Sequence, residues 1–232
     1  MINTWNESLL HEELKEYFCG STGKTEVPLC GSICDIILED GTIIEIQTGN
    51  LSQLKPKLEK LLINNKVILV YPLPTNTFIE TFDIENNLIS KRKSPKHLTV
   101  YAIFKELTGI YHILDNPNFT LHVLLVDILE IRIADGTGSW RRKGIRRADK
   151  KLLKINDTKI FYGLESYVQL LPSNLPENFT RKDLAQSGAG KFSGHMAWVL
   201  WKTGSIELAG KNKNAHIYRK TQGIKTKPIA EV

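Results

Sequence analysis

The stretch CDIILEDGTIIEIQT, residues 34–48, sets Asp35, Glu45 and Gln47 into two apolar, β-branched runs joined by Glu39-Asp40-Gly41. A period of two puts Asp35 and Ile37 on one face of the first run, and Ile43, Glu45 and Gln47 on one face of the second. A three-residue loop with Gly41 in the left-handed position would pair Leu38 with Thr42 and bring Asp35 opposite Glu45. Two carboxylates roughly 5 Å apart destabilise a sheet unless something offsets their repulsion. A bound divalent cation would do so.

The flanking elements must hold that hairpin. NESLLHEELKEYF (6–18) reads as a helix with an apolar stripe of Leu10, Leu14, Tyr17 and Phe18. On the same wheel Glu7 and His11 share the side of Leu14 and Phe18, whereas Glu12 and Glu16 point outward, Glu13 lies at the stripe's margin and Lys15 reads as a solvated charge. KTEVPL (24–29) is a short strand. Asn50 or Ser52 caps LSQLKPKLEKLLINN, where Leu51, Leu54, Leu58, Leu61 and Leu62 recur at helical spacing and Pro56 sits in the first turns. KVILVYPL (66–73) reads as a buried strand ended by Pro72 and Pro74. The order is α-β-β-β-α-β.

Residues 75–96 read as a linker. HLTVYAIFKELTGIYHIL is helical with a break near Gly109, and TLHVLLVDILEIRIADG is a long strand running into a turn at Asp135-Gly136. LESYVQLLP (164–172) is helical. FTRKDLAQSG has Thr180 as N-cap with Asp183 three residues on, and KFSGHMAWVLWKTG forms a second helix ended by Gly204. SIELAGKNKNAHIYRK closes as two strands. Helix, helix, turn, helix and basic hairpin is the winged helix-turn-helix pattern, with a recognition helix at about 191–203. Lys191, Ser193 and His195 would then face a DNA groove, Lys211 and Lys213 would sit on the wing, and Trp198 and Trp201 read as core. The expected units are 1–79, an αβββαβ domain; 80–160, a basic α+β segment; 161–221, a winged helix; and 222–232, a flexible tail.

Charge is divided unevenly. Residues 1–79 hold 6 Lys/Arg against 10 Asp/Glu, and residues 80–232 hold 25 against 15, so the net charge of +6 arises wholly in the second part. RRKGIRRADKK (141–151) is its densest run, and Arg141, Arg142, Lys143, Arg146 and Arg147 read as phosphate contacts beside Trp140. The partner expected from this asymmetry is a nucleic acid. The three cysteines lack the spacing of a zinc site or a disulfide framework and read as buried thiols. With no basic leader before an apolar segment and no window of about 18 apolar residues, a cytoplasmic protein with no membrane partner is expected. Assembly is left open, a homodimer being one option.

The acidic helix, the D-x9-E-x-Q hairpin, the leucine-striped helix and the buried strand together resemble the PD-(D/E)XK nuclease superfamily. N-E-x-x-L-H-x-x-L-K (Asn6, Glu7, Leu10, His11, Leu14, Lys15) followed by E-V-P and E-I-Q-T is similar to an uncharacterised bacterial group of nuclease-like proteins. The resemblance implies a restriction-endonuclease-like core, with Asp35, Glu45, the Ile46 carbonyl and Glu7 as ligands of Mg²⁺ or Mn²⁺, and catalytic parts for His11 and Gln47. Gln47 stands where that family usually has lysine. An amide carries no positive charge and cannot act as a base, so Gln47 can only orient a water or a phosphate oxygen. The implied activity is metal-dependent hydrolysis of DNA phosphodiesters. A non-catalytic DNA-binding regulator on the same scaffold, and a protein that binds or cleaves RNA, remain open beside it.

Overall fold

The computed structural model describes residues 8–221. Glu7 and the expected tail, 222–232, lie outside the described residues. Within them the chain is a mixed α/β protein built on one large sheet with helices on both faces.

Ser8 caps α1 (Leu9–Cys19) through its hydroxyl, which accepts from the His11 N–H. β1 (Lys24–Leu29), β2 (Ser32–Ile37) and β3 (Ile43–Ile46) follow as an antiparallel meander. The predicted loop forms: Gly41 has φ of 82°, Leu38 N donates to Thr42 O at 2.9 Å, and Asp40 accepts from the Thr42 backbone and hydroxyl. A 3₁₀ turn (Leu51–Leu54) runs into α2 (Lys55–Leu61), and β4 (Val67–Phe82) then lies parallel to β3. Asn50 takes a left-handed conformation and makes no side-chain cap.

β4 does not stop at Pro72 and Pro74 as expected. It pairs with β3 only as far as Val70 and with β5 (Leu88–Lys93) only from Phe78, on the edge away from β6 (Phe119–Ala134). Both prolines therefore occupy the interval in which that edge has no partner strand, where a missing N–H costs no ladder bond. The segment 75–96 is accordingly sheet rather than linker, and a boundary at residue 79 would cut through β4. The parallel β4–β6 pairing continues to Phe82, and β7 (Ile145–Tyr162) returns antiparallel along β6, giving a seven-stranded sheet of order β1-β2-β3-β4-β6-β7 with β5 beside β4.

Between β5 and β6 lie α3 (Ile103–Leu107) and a 3₁₀ turn (Tyr111–Ile113), split at Gly109. A Cβ on Gly109 would stand 2.6 Å from Ser52 Cβ, so the two turns pack backbone to backbone. After β7 come α4 (Gly163–Val168), β8 (Phe179–Thr180), α5 (Arg181–Leu184), α6 (Ser193–Lys202), β9 (Ile206–Asn212) and β10 (Ala215–Lys220), the last two forming a three-stranded sheet with β8. The capping box of Thr180 and Asp183 forms as predicted.

Alternation along β4 and β6 produces two cores. Leu69, Tyr71, Leu73, Leu121 and Val123 face α2, α3 and the C-terminal helices, and Val70, Leu124, Val126 and Ile128 face Leu10 and Leu14 of α1. Met196, Ala197, Val199 and Leu200 of α6 lie in the same core as the leucines of α2, so the C-terminal unit does not have a core of its own. Tyr17 is exposed, Lys15 is buried and paired with Glu26 at 3.2 Å, and only Cys34 of the three cysteines is buried, all three departing from expectation.

Candidate active site where two strands part

β2 and β3 keep the predicted register over Ile36–Ile44 and Ile37–Ile43, and its continuation sets Asp35 against Glu45. The backbone ladder ends there. Beyond it the Asp35 carboxylate meets the neighbouring strand: Ile46 N donates to Asp35 Oδ2 at 2.7 Å. The Ile46 peptide is thus tied to the acid pair through its N–H, not through the carbonyl named from sequence.

Helices bracket the two acids from opposite faces of the sheet. From α1, His11 Nε2 lies 3.7 Å from Asp35 Oδ2. From α2, Lys57 forms an ion pair with Glu45 Oε2 and also donates to the Ile33 carbonyl at 2.6 Å. Glu45 is only 1% exposed, and its other oxygen, Oε1, has no hydrogen-bond partner among the described residues. A buried carboxylate oxygen without a well-placed donor costs on the order of 1–3 kcal/mol, and the Cys34 thiol and the Asp35 backbone are the neighbours that offset part of it.

The surroundings push the two carboxyl groups apart. Burial, then the charge of Asp35, raises Glu45 to about 7 against the opposing pull of Lys57. Burial acts on Asp35 in the same sense, but His11 and the Ile46 N–H outweigh it and hold Asp35 below the usual carboxylate range. Burial and the neighbouring Glu45 lift the Cys34 thiol to about 11, so it stays protonated. One acid is therefore fully ionised at neutral pH and the other is poised.

Lys57 was not singled out from sequence. The signal was present, because Leu54, Lys57, Leu58 and Leu61 fill the positions i, i+3, i+4 and i+7 of one helix face, with a lysine standing in the leucine stripe. The Gln47 amide Nε2 donates to the Gly49 carbonyl at 2.5 Å.

The basic residues are not gathered at this site. Glu45 is level with Leu69, which is level with Leu121, and β6 runs 13 residues further to Ala134. At about 3.3 Å per residue the β6–β7 tip lies roughly 40 Å along the strands from the acids. Arg141 and Arg142 form a 3₁₀ turn at this tip, with Trp140 84% exposed, and Lys143 takes a left-handed conformation. Arg146 is tied to Asp135, and Arg147 to Glu130 at 3.2 Å. In the C-terminal unit Lys191, His195, Lys211 and Lys213 are exposed, but Ser193 is 4% exposed and does not face outward as expected. Trp198 and Trp201, expected in the core, lie partly exposed beneath Lys202. Among the described residues no three His, Cys, Asp or Glu side chains are grouped to hold a metal, and no helix is long and apolar enough to cross a membrane.

Fold and site together define an α/β protein with an acid pair set where two strands of a mixed sheet part. The chain belongs to the family described as Domain of unknown function (DUF8091), which matches residues 8–162, from the cap of α1 to the end of β7 and so across the whole acid site. A protein of Treponema pallidum (strain Nichols), named only as an uncharacterized protein, is 36% identical over 219 residues, covering 94% of this chain and 87% of its own length. No solved structure matches.

Proposed function

We propose that the protein is a metal-dependent nuclease of the PD-(D/E)XK kind, hydrolysing DNA phosphodiesters at Asp35 and Glu45. The observation that carries the reading is the buried Glu45 carboxylate beside Asp35, with one oxygen lacking a donor and a lysine on the other. The element order α1-β1-β2-β3-α2-β4, with β3 parallel to β4 and the acids on β2 and β3, supports it.

Two carboxylates and a peptide carbonyl suit a hard cation that completes its shell with water and substrate phosphate. Asp35, Glu45 and the Ile46 carbonyl would hold Mg²⁺ or Mn²⁺, with Glu7 as a fourth ligand; the ion supplies a more acidic water and charge stabilisation at the phosphate. His11 orients Asp35. Lys57 would supply, from α2, the positive charge that Gln47 lacks; it pairs with Glu45 and would stabilise charge developing on a bound phosphate. The helices and hairpin 179–220, read as a winged helix, and the basic β6–β7 tip would bind the duplex.

The engagement of Gln47 with Gly49 favours a second reading, in which the fold binds DNA without cutting it. Melting temperature with and without Mg²⁺ separates the two. The nuclease reading expects Mg²⁺ to raise the wild-type value and Asp35→Asn or Glu45→Gln to abolish the rise. An identical melting temperature with and without the ion would favour the regulator.

A further inference from the structure

A second charged site lies in the C-terminal unit, away from the acids. A cleft of about 750 Å³ opens between α5 and the start of α6, lined by Arg181, Lys182, Lys191, His195, Trp198 and Thr108 among others, and no carboxylate lines it. None of the Arg181, Lys182, Lys191 or His195 side chains forms an ion pair among the described residues, in contrast to Arg132, Arg146, Arg147 and Arg219 elsewhere in the molecule. Arg181 lies over the first turn of α6, its Nη1 3.7 Å from where a Cβ of Gly194 would stand. His195, Trp198 and Lys202 share the exposed face of α6 at spacings of three and four, and Lys191 is exposed in the 3₁₀ turn (Gly190–Phe192) that leads into it. The Trp198 ring is held edge-on against Tyr111, with centroids 5.1 Å apart, and stays 36% exposed at the cleft wall.

Cations without an ion-pair partner around a cleft of this size attract a multiply charged anion, and the indole at its wall, with Lys202 Nζ 5.9 Å from its ring centroid, offers the rest of its exposed surface to a flat apolar ring. We propose that this cleft binds a nucleoside phosphate, with the phosphate held by Arg181, Lys182 and Lys191 and the base against Trp198. The chemistry is shared by a free nucleotide and by the phosphate-bearing end of a nucleic acid strand. The proposal rests on the nucleic-acid reading above only in the choice of a nucleoside as the ring system; the charge and shape of the cleft are independent of the acid pair.

The test is a tryptophan fluorescence titration of the full chain in EDTA, which prevents cleavage. The probes are thymidine, thymidine 5′-monophosphate and a 5′-phosphorylated thymidine tetranucleotide, with wild type, Trp198→Phe and Arg181→Gln/Lys182→Gln. The expected result is a response to both phosphorylated probes and none to thymidine. That response should be lost in Trp198→Phe and at least about tenfold weaker in the double variant. Tighter binding of the tetranucleotide assigns the cleft to a strand end, and tighter binding of the mononucleotide to a free nucleotide. Absence of a wild-type response to both phosphorylated probes overturns the proposal, as does an unchanged affinity in the double variant or an equal response to thymidine. Because Mg²⁺-linked melting reports on Asp35 and Glu45, a failure here is distinguishable from a failure of the nuclease reading.

Discussion

Glu45 and Lys57 are coupled at the residue scale, because the buried Glu45 carboxylate is costly to ionise and more so without Lys57 beside it, whereas Lys57 keeps some access to solvent. The folded-state pKa of Glu45, about 7, lies above its ordinary value of 4.5, so the native state holds this proton more tightly than the unfolded chain does. Its contribution is accordingly most favourable below about pH 4.5 and is lost as pH rises through about 7, a cost on the order of 3 kcal/mol in the ion-free protein. Glu45→Gln should therefore raise the melting temperature in EDTA at pH 8 and leave it nearly unchanged at pH 4.5, as thermal denaturation at the two pH values would show. Lys57→Met strands a buried charge and should destabilise by about 3 kcal/mol at pH 8, with most of that recovered in the Glu45→Gln/Lys57→Met double variant. The acid pair was legible in the sequence because a short loop with Gly41 leaves one register. The lysine was not singled out, since a charge within a leucine stripe gains meaning only once the stripe is seen to face an acid.

The elements themselves follow local rules where their partners are local. β1, the hairpin loop, the Thr180 capping box and the turn ending β6 are all set within a few residues, and all form where periodicity and turn chemistry predict them. β4 shows the limit of such rules: whether Pro72 and Pro74 end a strand depends on which neighbour lies beside them, and residues far along the chain supply that neighbour. Ser193 likewise reads as outward-facing until α6 is packed against α3 and α5. The junction at Gly109 gives the prediction at this scale. Gly109→Ala drives a Cβ into Ser52 in the turn that starts the helix carrying Lys57, and should cost about 1–3 kcal/mol and weaken Mg²⁺-linked stabilisation. Gly138→Ala, whose Cβ would meet the Ile145 carbonyl at 2.1 Å, should disturb only the arm tip and leave that linkage intact. Melting curves with and without Mg²⁺ distinguish the two.

At the scale of the whole molecule, acids and basic residues are held apart by the length of the sheet. Composition showed the charge asymmetry but not this separation, because no local pattern reveals that β4, β6 and β7 are continuous over 16 to 18 residues and carry the basic tip away from the acids. The separation predicts independent effects. Replacing Arg141, Arg142 and Lys143 with glutamine should weaken duplex binding, lower the slope of log affinity against log salt by up to about 3, and leave Mg²⁺-linked melting unaltered. The most direct test of the account is incubation of linear, circular and branched DNA with the protein and Mg²⁺ or Mn²⁺, comparing wild type, Glu45→Ala and wild type in EDTA. Metal-dependent cutting that both Glu45→Ala and EDTA abolish is expected. Wild-type protein that binds these DNAs yet cuts none of them with either metal would contradict it.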